Sequence, residues 1–244
     1  MANWQARIGY LSPSVFEVPS DWTKILPRGF SLVTTGLNVR AHTAEEFEKA
    51  INDLEAALSV FVAEEVDVIL LAGIALATQR GYRAEEQIIK SLTEKLKRPV
   101  TSAMSANAEA LKHLKAERVV IATAYLEKIN QAVKRYFEDA GFKVLGIRGL
   151  DVSKPVDQAK LPDDASYKVA RGLAEDFPDA DAVLIHGRWS SLAHVERLER
   201  EISRPVVSSV AAALWRMLKL LKIDLSLEGC GRILRGDSMK PGSA

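Results

Sequence analysis

Short apolar runs alternate along this chain with stretches whose apolar residues recur every three or four positions, the signatures of strands and amphipathic helices. The strand-like runs are Arg7–Leu11, Val66–Ala72, Pro99–Ser102, Arg118–Ala122, Phe142–Ile147, Ala182–Ile185 and Val206–Ser208. Thr43 followed by Glu45 and Glu46 predicts an N-cap, opening a helix to about Glu65 with Phe47, Ile51, Leu54 and Leu58 at helical spacing. Further helices are predicted around Ala84–Leu96, near Asn107–Leu114, from about Glu127 to Asp139 with Gly141 ending it, and at Asp164–Glu175, Leu192–Ile202 and Val210–Leu221. Lys154–Pro162 is polar with two prolines and reads as a surface loop. The tail beyond Lys222, rich in glycine, serine and charge, is expected to be partly loose.

Strands alternating with helices imply a parallel sheet covered on both faces. Two stretches repeat one another. Val66-Asp67-Val68-Ile69-Leu70-Leu71-Ala72-Gly73 leads to Arg98-Pro99-Val100-Thr101-Ser102, and Ala180-Asp181-Ala182-Val183-Leu184-Ile185-His186-Gly187 leads to Arg204-Pro205-Val206-Val207-Ser208. The repeat predicts an α/β chain of two pseudo-symmetric lobes, each a parallel sheet flanked by helices, with the active-site cleft between them. The series restarts near Lys115, which divides the chain into residues 1–114 plus 211–244 and residues 115–210. Ligands of open α/β sheets bind at the carboxyl ends of the strands. Those ends are Ser12–Ser14, Gly73–Thr78, Thr101–Ser105, Thr123–Tyr125, His186–Ser191 and Ser208–Ser209.

Composition narrows the function classes. The 244 residues are 48% hydrophobic and 27% charged, ordinary for a soluble globular protein with room for two cores. A net charge of +1, with basic residues dispersed among acids, argues against nucleic acid as a partner. No apolar run is long enough to span a bilayer, and Met1 to Arg7 lack the plan of a secretory signal, so a cytoplasmic location is expected. Cys230 is the single cysteine, which excludes an internal disulfide, and no two histidines have metal-ligand spacing, so no metal is expected. No glycine-rich segment matches a dinucleotide or phosphate fingerprint.

The strand ends carry small hydroxyl residues and one phenol, Tyr125. Hydroxyls and backbone N–H groups at helix starts suit a carboxylate or a developing enolate oxygen, although helix capping also accounts for many of them. His186 ends a buried strand, where it could move protons near neutral pH, and Arg188 beside it could hold a carboxylate. The alternative is a histidine satisfied by a backbone carbonyl and an arginine in solvent. Ser190 and Ser191 follow at the same tip. Arg80, in a loop after Gly73, could clamp an acidic substrate. His194, His42 and His113 read as local or surface residues, and Cys230 as off-site. Ile74, Leu76 and Trp189 would suit an apolar substituent on the substrate or equally pack the core.

The order of Ile8-Gly9 before Pro13, Gly36-Leu37, Gly73 with Arg80-Gly81, Ala122-Thr123-Ala124-Tyr125 with Asn130, and Pro205-Val206-Val207-Ser208-Ser209 leading to Trp215 resembles the aspartate/glutamate racemase superfamily. Its arylmalonate decarboxylase and maleate isomerase branch is the most similar, from about Arg7 to Leu221. The resemblance implies two α/β lobes, no cofactor, small carboxylate substrates, and chemistry through an enediolate or a cysteine adduct in the cleft. It also implies a cysteine at one or both strand tips. Here the first seat is Gly73. The second falls on Gly187 counted from Asp181, or on His186 counted back from Pro205. The hydroxyl pair that holds a carboxylate in the decarboxylase corresponds to Ile74 and Ala75, and Ser12-Pro13-Ser14 stands at the first substrate loop.

Two functions follow. One is a cofactor-independent decarboxylase or isomerase acting on a small carboxylate or dicarboxylate through an enediolate, with His186 and Tyr125 catalytic and Ser12, Pro13, Ser14, Gly73, Ile74, Ala75, Arg80, Gly187, Arg188, Ser190 and Ser191 around the substrate. The other is an inactive member that binds a small carboxylate. Either could be a monomer or a homo-oligomer.

Overall fold

The computed structural model describes residues 5–13, 18, 20–40 and 43–235. Its first half holds strands β1 (Ala6–Ser12), β2 (Phe30–Gly36), β3 (Val68–Leu71) and β4 (Val100–Ser102), and its second half β5 (Arg118–Thr123), β6 (Lys143–Arg148), β7 (Ala182–His186) and β8 (Val206–Ser208). The first sheet has the order β2-β1-β3-β4 and the second β6-β5-β7-β8, all pairs parallel. The two halves thus have the same topology. In each, the chain reverses its direction of winding between the first and third strands, so each sheet has one switch point at its carboxyl edge.

Side-chain alternation along the strands divides the core into three. Ile8, Tyr10, Val68 and Leu70 share one buried cluster with Val119, Ile121, Ala182 and Leu184, so one face of each sheet faces the space between the lobes. The opposite residues, Leu11, Ile69 and Leu71 in the first sheet and Val120, Val183 and Ile185 in the second, join separate outer clusters. Helices α6 (Ala103–His113) and α11 (Ser209–Leu221) pack together in the central layer, and α11 also meets β3 and β4.

Several expectations need correction. Phe30–Gly36 was not expected as a strand; it is an edge strand, half-buried throughout, in which Ser31, Thr34 and Thr35 dilute the apolar signal. The helix expected from Thr43 to Glu65 is two, α2 (Ala44–Asn52) and α3 (Leu54–Ala63), hinged at Asp53. The hinge lets Phe47 and Ala50 enter the central cluster while Leu54, Leu58 and Phe61 enter the outer one. Thr43 caps α2 as expected, accepting from the Glu46 N–H at 3.3 Å. Two further short helices, α1 (Ser20–Ile25) and α4 (Ala75–Arg80), precede α5 (Tyr82–Leu96). Helix α7 (Glu127–Asp139) matches its expected span; α8 (Pro155–Gln158) folds within the expected surface loop, ahead of α9 (Ala165–Asp176) and α10 (Val195–Ile202). As far as residue 235 the tail is packed: Cys230, Ile233 and Leu234 are buried, and Arg235 pairs with Glu196 at 2.9 Å.

Candidate active site

The alternation that builds the central cluster also decides which side chains reach the end of the sheets. Tyr10 and Ser12 on β1 share a face, as do Leu70 and Ala72 at β3, and His186 continues the inward series of Ala182 and Leu184 on β7. These residues line a cavity of about 100 Å³ that spans both switch points. Pro13, Gly73, Ile74, Tyr125, Gly187 and Arg188 complete its strand-end rim. Trp22 of α1, Val39, Phe47 of α2, and Val210 and Ala213 of α11 give it apolar walls.

His186 is 2% exposed and held from one side. Its Nδ1 lies 2.9 Å from Asn107 Nδ2 and 2.7 Å from Ser209 Oγ, and the same hydroxyl donates to the Ile185 carbonyl at 3.0 Å. Its Nε2 is buried with no partner among the described residues. Burial pushes the imidazole down to about 4, so it rests neutral at physiological pH. The expected alternative, a ring satisfied by a backbone carbonyl, is not what is found: side chains hold Nδ1, and among the described residues nothing bonds to Nε2.

Two phenols line the cavity with the imidazole. The Tyr125 ring lies 5.8 Å from that of His186. Burial raises the Tyr125 hydroxyl well above its ordinary range; burial does the same to Tyr10, against the opposing charge of Arg188. Both phenols are therefore neutral hydrogen-bond donors. The β5 tip is fixed locally: Thr123 Oγ1 donates to Asn130 Oδ1 at 2.6 Å and accepts from the Tyr125 N–H at 3.1 Å.

The glycines at the two tips differ. Gly73 has φ +85°, and a Cβ there would stand 2.6 Å from Cγ of Pro13. Gly187 has φ +139°, and its Cβ would meet nothing closer than Trp189 Nε1 at 3.4 Å. Behind the first tip, Glu85 and Ser102 line a small separate cavity. Glu85 is pushed up to about 7 by burial, against hydrogen bonds from Tyr136 and Ser102.

Other expected site residues stand elsewhere. Arg80 does not line the cavity; its guanidinium makes a two-pronged ion pair with Glu48 on the surface, at 2.6 and 2.7 Å. Ser191 is spent on structure. Its N–H and hydroxyl donate to Asp21 Oδ2 at 2.7 and 3.0 Å, joined by the Leu192 N–H at 3.2 Å, which ties α1 to the loop after β7. The Ser190 carbonyl accepts from Ser166, and neither serine lines the cavity. Ala75 opens α4, and Ser14 lies outside the described residues. Leu76 and Trp189 pack in the outer clusters; Ile74 alone of that apolar trio reaches the cavity. His194 precedes α10 with its ring edge on Tyr167, and His113 stacks on Trp215. His42 lies outside the described residues.

Sequence reasoning missed Tyr10, Gln158 and Asn107 as site residues, and placed Ser209 at a strand end without its bond to His186. Tyr10 was legible, since it stands two positions before Ser12 on the same strand face. Asn107, and the bond that Ser209 makes, were not, because both meet His186 from helices distant in sequence. Among the described residues no group of three or more His, Cys, Asp or Glu could hold a metal, and no helix is long and apolar enough to cross a membrane.

Comparison with known proteins extends the likeness beyond the site. The family model described as arylmalonate decarboxylase matches residues 8–234. A maleate isomerase of Nocardia farcinica is 29% identical over 95% of this chain and 96% of its own. An arylmalonate decarboxylase of Bordetella bronchiseptica is 26% identical over 85% of this chain and 87% of its own. A solved cysteine-to-serine mutant of the Nocardia farcinica maleate cis-trans isomerase, with a covalently bound succinylcysteine intermediate, superposes with a TM-score of 0.86. That alignment is 26% identical and covers 96% of this chain and 99% of the other. Because the family match runs from the first strand to the last turn of the described chain, this chain belongs to the arylmalonate decarboxylase family.

Proposed function

We propose that this protein is a cofactor-independent enzyme that forms an enediolate from a small carboxylate, with His186 moving the proton at carbon. The observation that carries the reading is the imidazole itself: Nδ1 held, Nε2 buried without a partner among the described residues, in a ring that lines the cavity. The relatives named above are isomerases and decarboxylases of small carboxylates by name, and a decarboxylation of that kind must add a proton to the carbon that loses CO₂.

The neutral resting imidazole fits the abstracting direction. Nε2 takes the proton from the carbon next to the carboxylate, the C–H electron pair becomes the C–C double bond of the enediolate, and the imidazolium returns the proton. In a decarboxylation the breaking C–C bond supplies that electron pair as CO₂ leaves, and the imidazolium supplies the proton. A bound carboxylate favours the charged ring and raises its pKa from the low resting value. For Nε2 to act as the base the neutral ring carries its proton on Nδ1, where Ser209 Oγ, whose own proton goes to the Ile185 carbonyl, accepts it in the neutral and the charged state alike. Tyr125 and Tyr10 offer neutral donors and Arg188 a positive charge to the developing oxyanion.

Glycine at 73 and 187 means that neither seat implied by the family resemblance supplies a thiol. The Pro13 ring blocks a side chain at the first seat in this chain, and His186 adjoins the second. The same glycines favour a second reading, a carboxylate-binding protein without turnover. One experiment separates the two. Small mono- and dicarboxylates are incubated with the protein in D₂O and followed by proton NMR, alongside thermal denaturation with each compound. Exchange or turnover abolished in His186→Asn supports the enzyme. Turnover indifferent to that substitution sinks the role of His186, and stabilisation without exchange or turnover favours the binding protein.

A further inference from the structure

Gln158 is a second cavity-lining side chain with an unanswered hydrogen-bonding atom. It ends α8 and is 1% exposed. Its Oε1 accepts the Arg188 backbone N–H at 3.4 Å, a bond only the oxygen can accept, so the assignment of the amide is fixed. Nε2 is left buried with no partner among the described residues. The cavity that Gln158 lines is walled largely by apolar side chains, Trp22, Val39, Phe47, Ile74 and Val210 among them, and none of its polar residues bonds to Nε2. An amide donor sealed in such surroundings is costly unless something bonds to it.

We propose that Gln158 determines specificity: its Nε2–H donates to an oxygen of the substrate other than the reacting carboxylate. The substrates of this cleft are then small carboxylates that carry a second oxygen acceptor, a carbonyl or a second carboxylate. A substrate whose only other substituent is hydrocarbon would leave Nε2 buried and unpaired, and sites built to bond a polar group reject analogues that lack it. The apolar walls alone would have suggested the opposite preference. The inference rests on this cleft being the substrate site, as proposed above.

The test is calorimetric titration of the full chain with two matched pairs, 4-oxopentanoate against pentanoate and succinate against butyrate. The oxygen-bearing member is expected to bind about ten-fold tighter or more. Gln158→Met should bring the preference close to one, by weakening the oxygen-bearing ligand. Gln158→Glu keeps an acceptor for the Arg188 N–H and guards against a merely disturbed α8. It should also erase the preference within the first pair, whose members carry equal charge. A larger preference in the succinate pair assigns the acceptor as carboxylate, and a larger one in the oxo pair as carbonyl. Equal binding within both pairs by the unmodified protein, no binding of any of the four, or a preference that survives both substitutions overturns the inference. Solvent exchange at carbon that is absent from the unmodified protein, or that persists in His186→Asn, would refute the role of His186 while leaving the affinity ratio standing, so the two failures are distinguishable.

Discussion

Two buried groups should give this protein opposing pH dependences that hide one another. His186 falls from its ordinary 6.5 to about 4 in the fold. Between those values the unfolded chain binds a proton that the native chain refuses, so stability is full above pH 6.5 and falls by about 3 kcal/mol as the pH drops to 4. Glu85 runs the other way. Burial lifts it from 4.5 to about 7, so the native chain holds a proton that the unfolded chain has lost. Its contribution is full below pH 4.5 and falls by about 3 kcal/mol as the pH rises to 7. Urea denaturation at a series of pH values should therefore show little slope from these two groups together. In His186→Asn the gap to the unmodified protein should shrink by about 3 kcal/mol from pH 6.5 down to 4, because only the unmodified protein loses the imidazole contribution. In Glu85→Gln, which keeps an acceptor for the Tyr136 hydroxyl, the gap should shrink by a similar amount from pH 4.5 up to 7. All other titrating groups are common to the three proteins and cancel in the differences. Stability profiles that run parallel to the unmodified one would refute the assignment of these groups as buried and unpaired with counter-charge.

Asp21→Ala should destabilise by about 3 kcal/mol or more in urea denaturation, because three donors from Ser191 and Leu192 lose their acceptor inside the protein. Asp21→Asn, which keeps one acceptor oxygen, should cost less. Gly73→Cys should lower the melting temperature more than Gly187→Cys, since both positions have positive φ but only the first drives Cβ to 2.6 Å from the Pro13 ring. Cys230, buried and pushed up to about 11, should alkylate about a hundred-fold more slowly than an ordinary thiol at pH 8, as followed by mass spectrometry. Once alkylated it should leave carboxylate binding intact, because it does not line the cavity.

The paired sheets were legible because buried parallel strands write themselves as unbroken apolar runs, and the two strongest, Val68–Leu71 and Ala182–His186, occupy equivalent central positions. His186 was legible for the same reason, as the polar residue at the end of such a run. The edge strand Phe30–Gly36 was not, because half-buried positions mix polar and apolar residues without a clean period. Arg80 illustrates the opposite error. Its place after a strand tip suggested a clamp, but Glu48 on α2 faces it, and an exposed two-pronged ion pair leaves the guanidinium on the surface. Ser191 does not line the cavity, because Asp21, distant in sequence, claims its hydroxyl and its N–H. Neither partner is visible in a linear pattern.

Equal topology in the two halves has not produced equal tips. The first switch point ends in Ser12, Pro13, Ala72 and Gly73, and its neighbours Trp22, Val39 and Phe47 are walls rather than reagents. The second ends in Tyr125, His186, Gly187 and Arg188, with Gln158 beside them. The groups proposed for proton transfer and polar recognition thus lie mainly on one sheet, braced by Asn107 and Ser209 behind the imidazole and by Thr123 and Asn130 behind the phenol. The opposing half shapes an apolar enclosure in which those polar atoms keep their strength. Asp21 joins the two, since the helix that carries Trp22 into the cavity is bonded through this carboxylate to the loop that follows His186 by a few residues. Cutting that tie should loosen the wall before it disturbs the imidazole. In Asp21→Asn, the affinity for carboxylates should fall while the acid-side stability slope assigned to His186 persists. A slope that vanished with the tie would place the origin of the imidazole's low pKa in the junction between lobes rather than in its local burial.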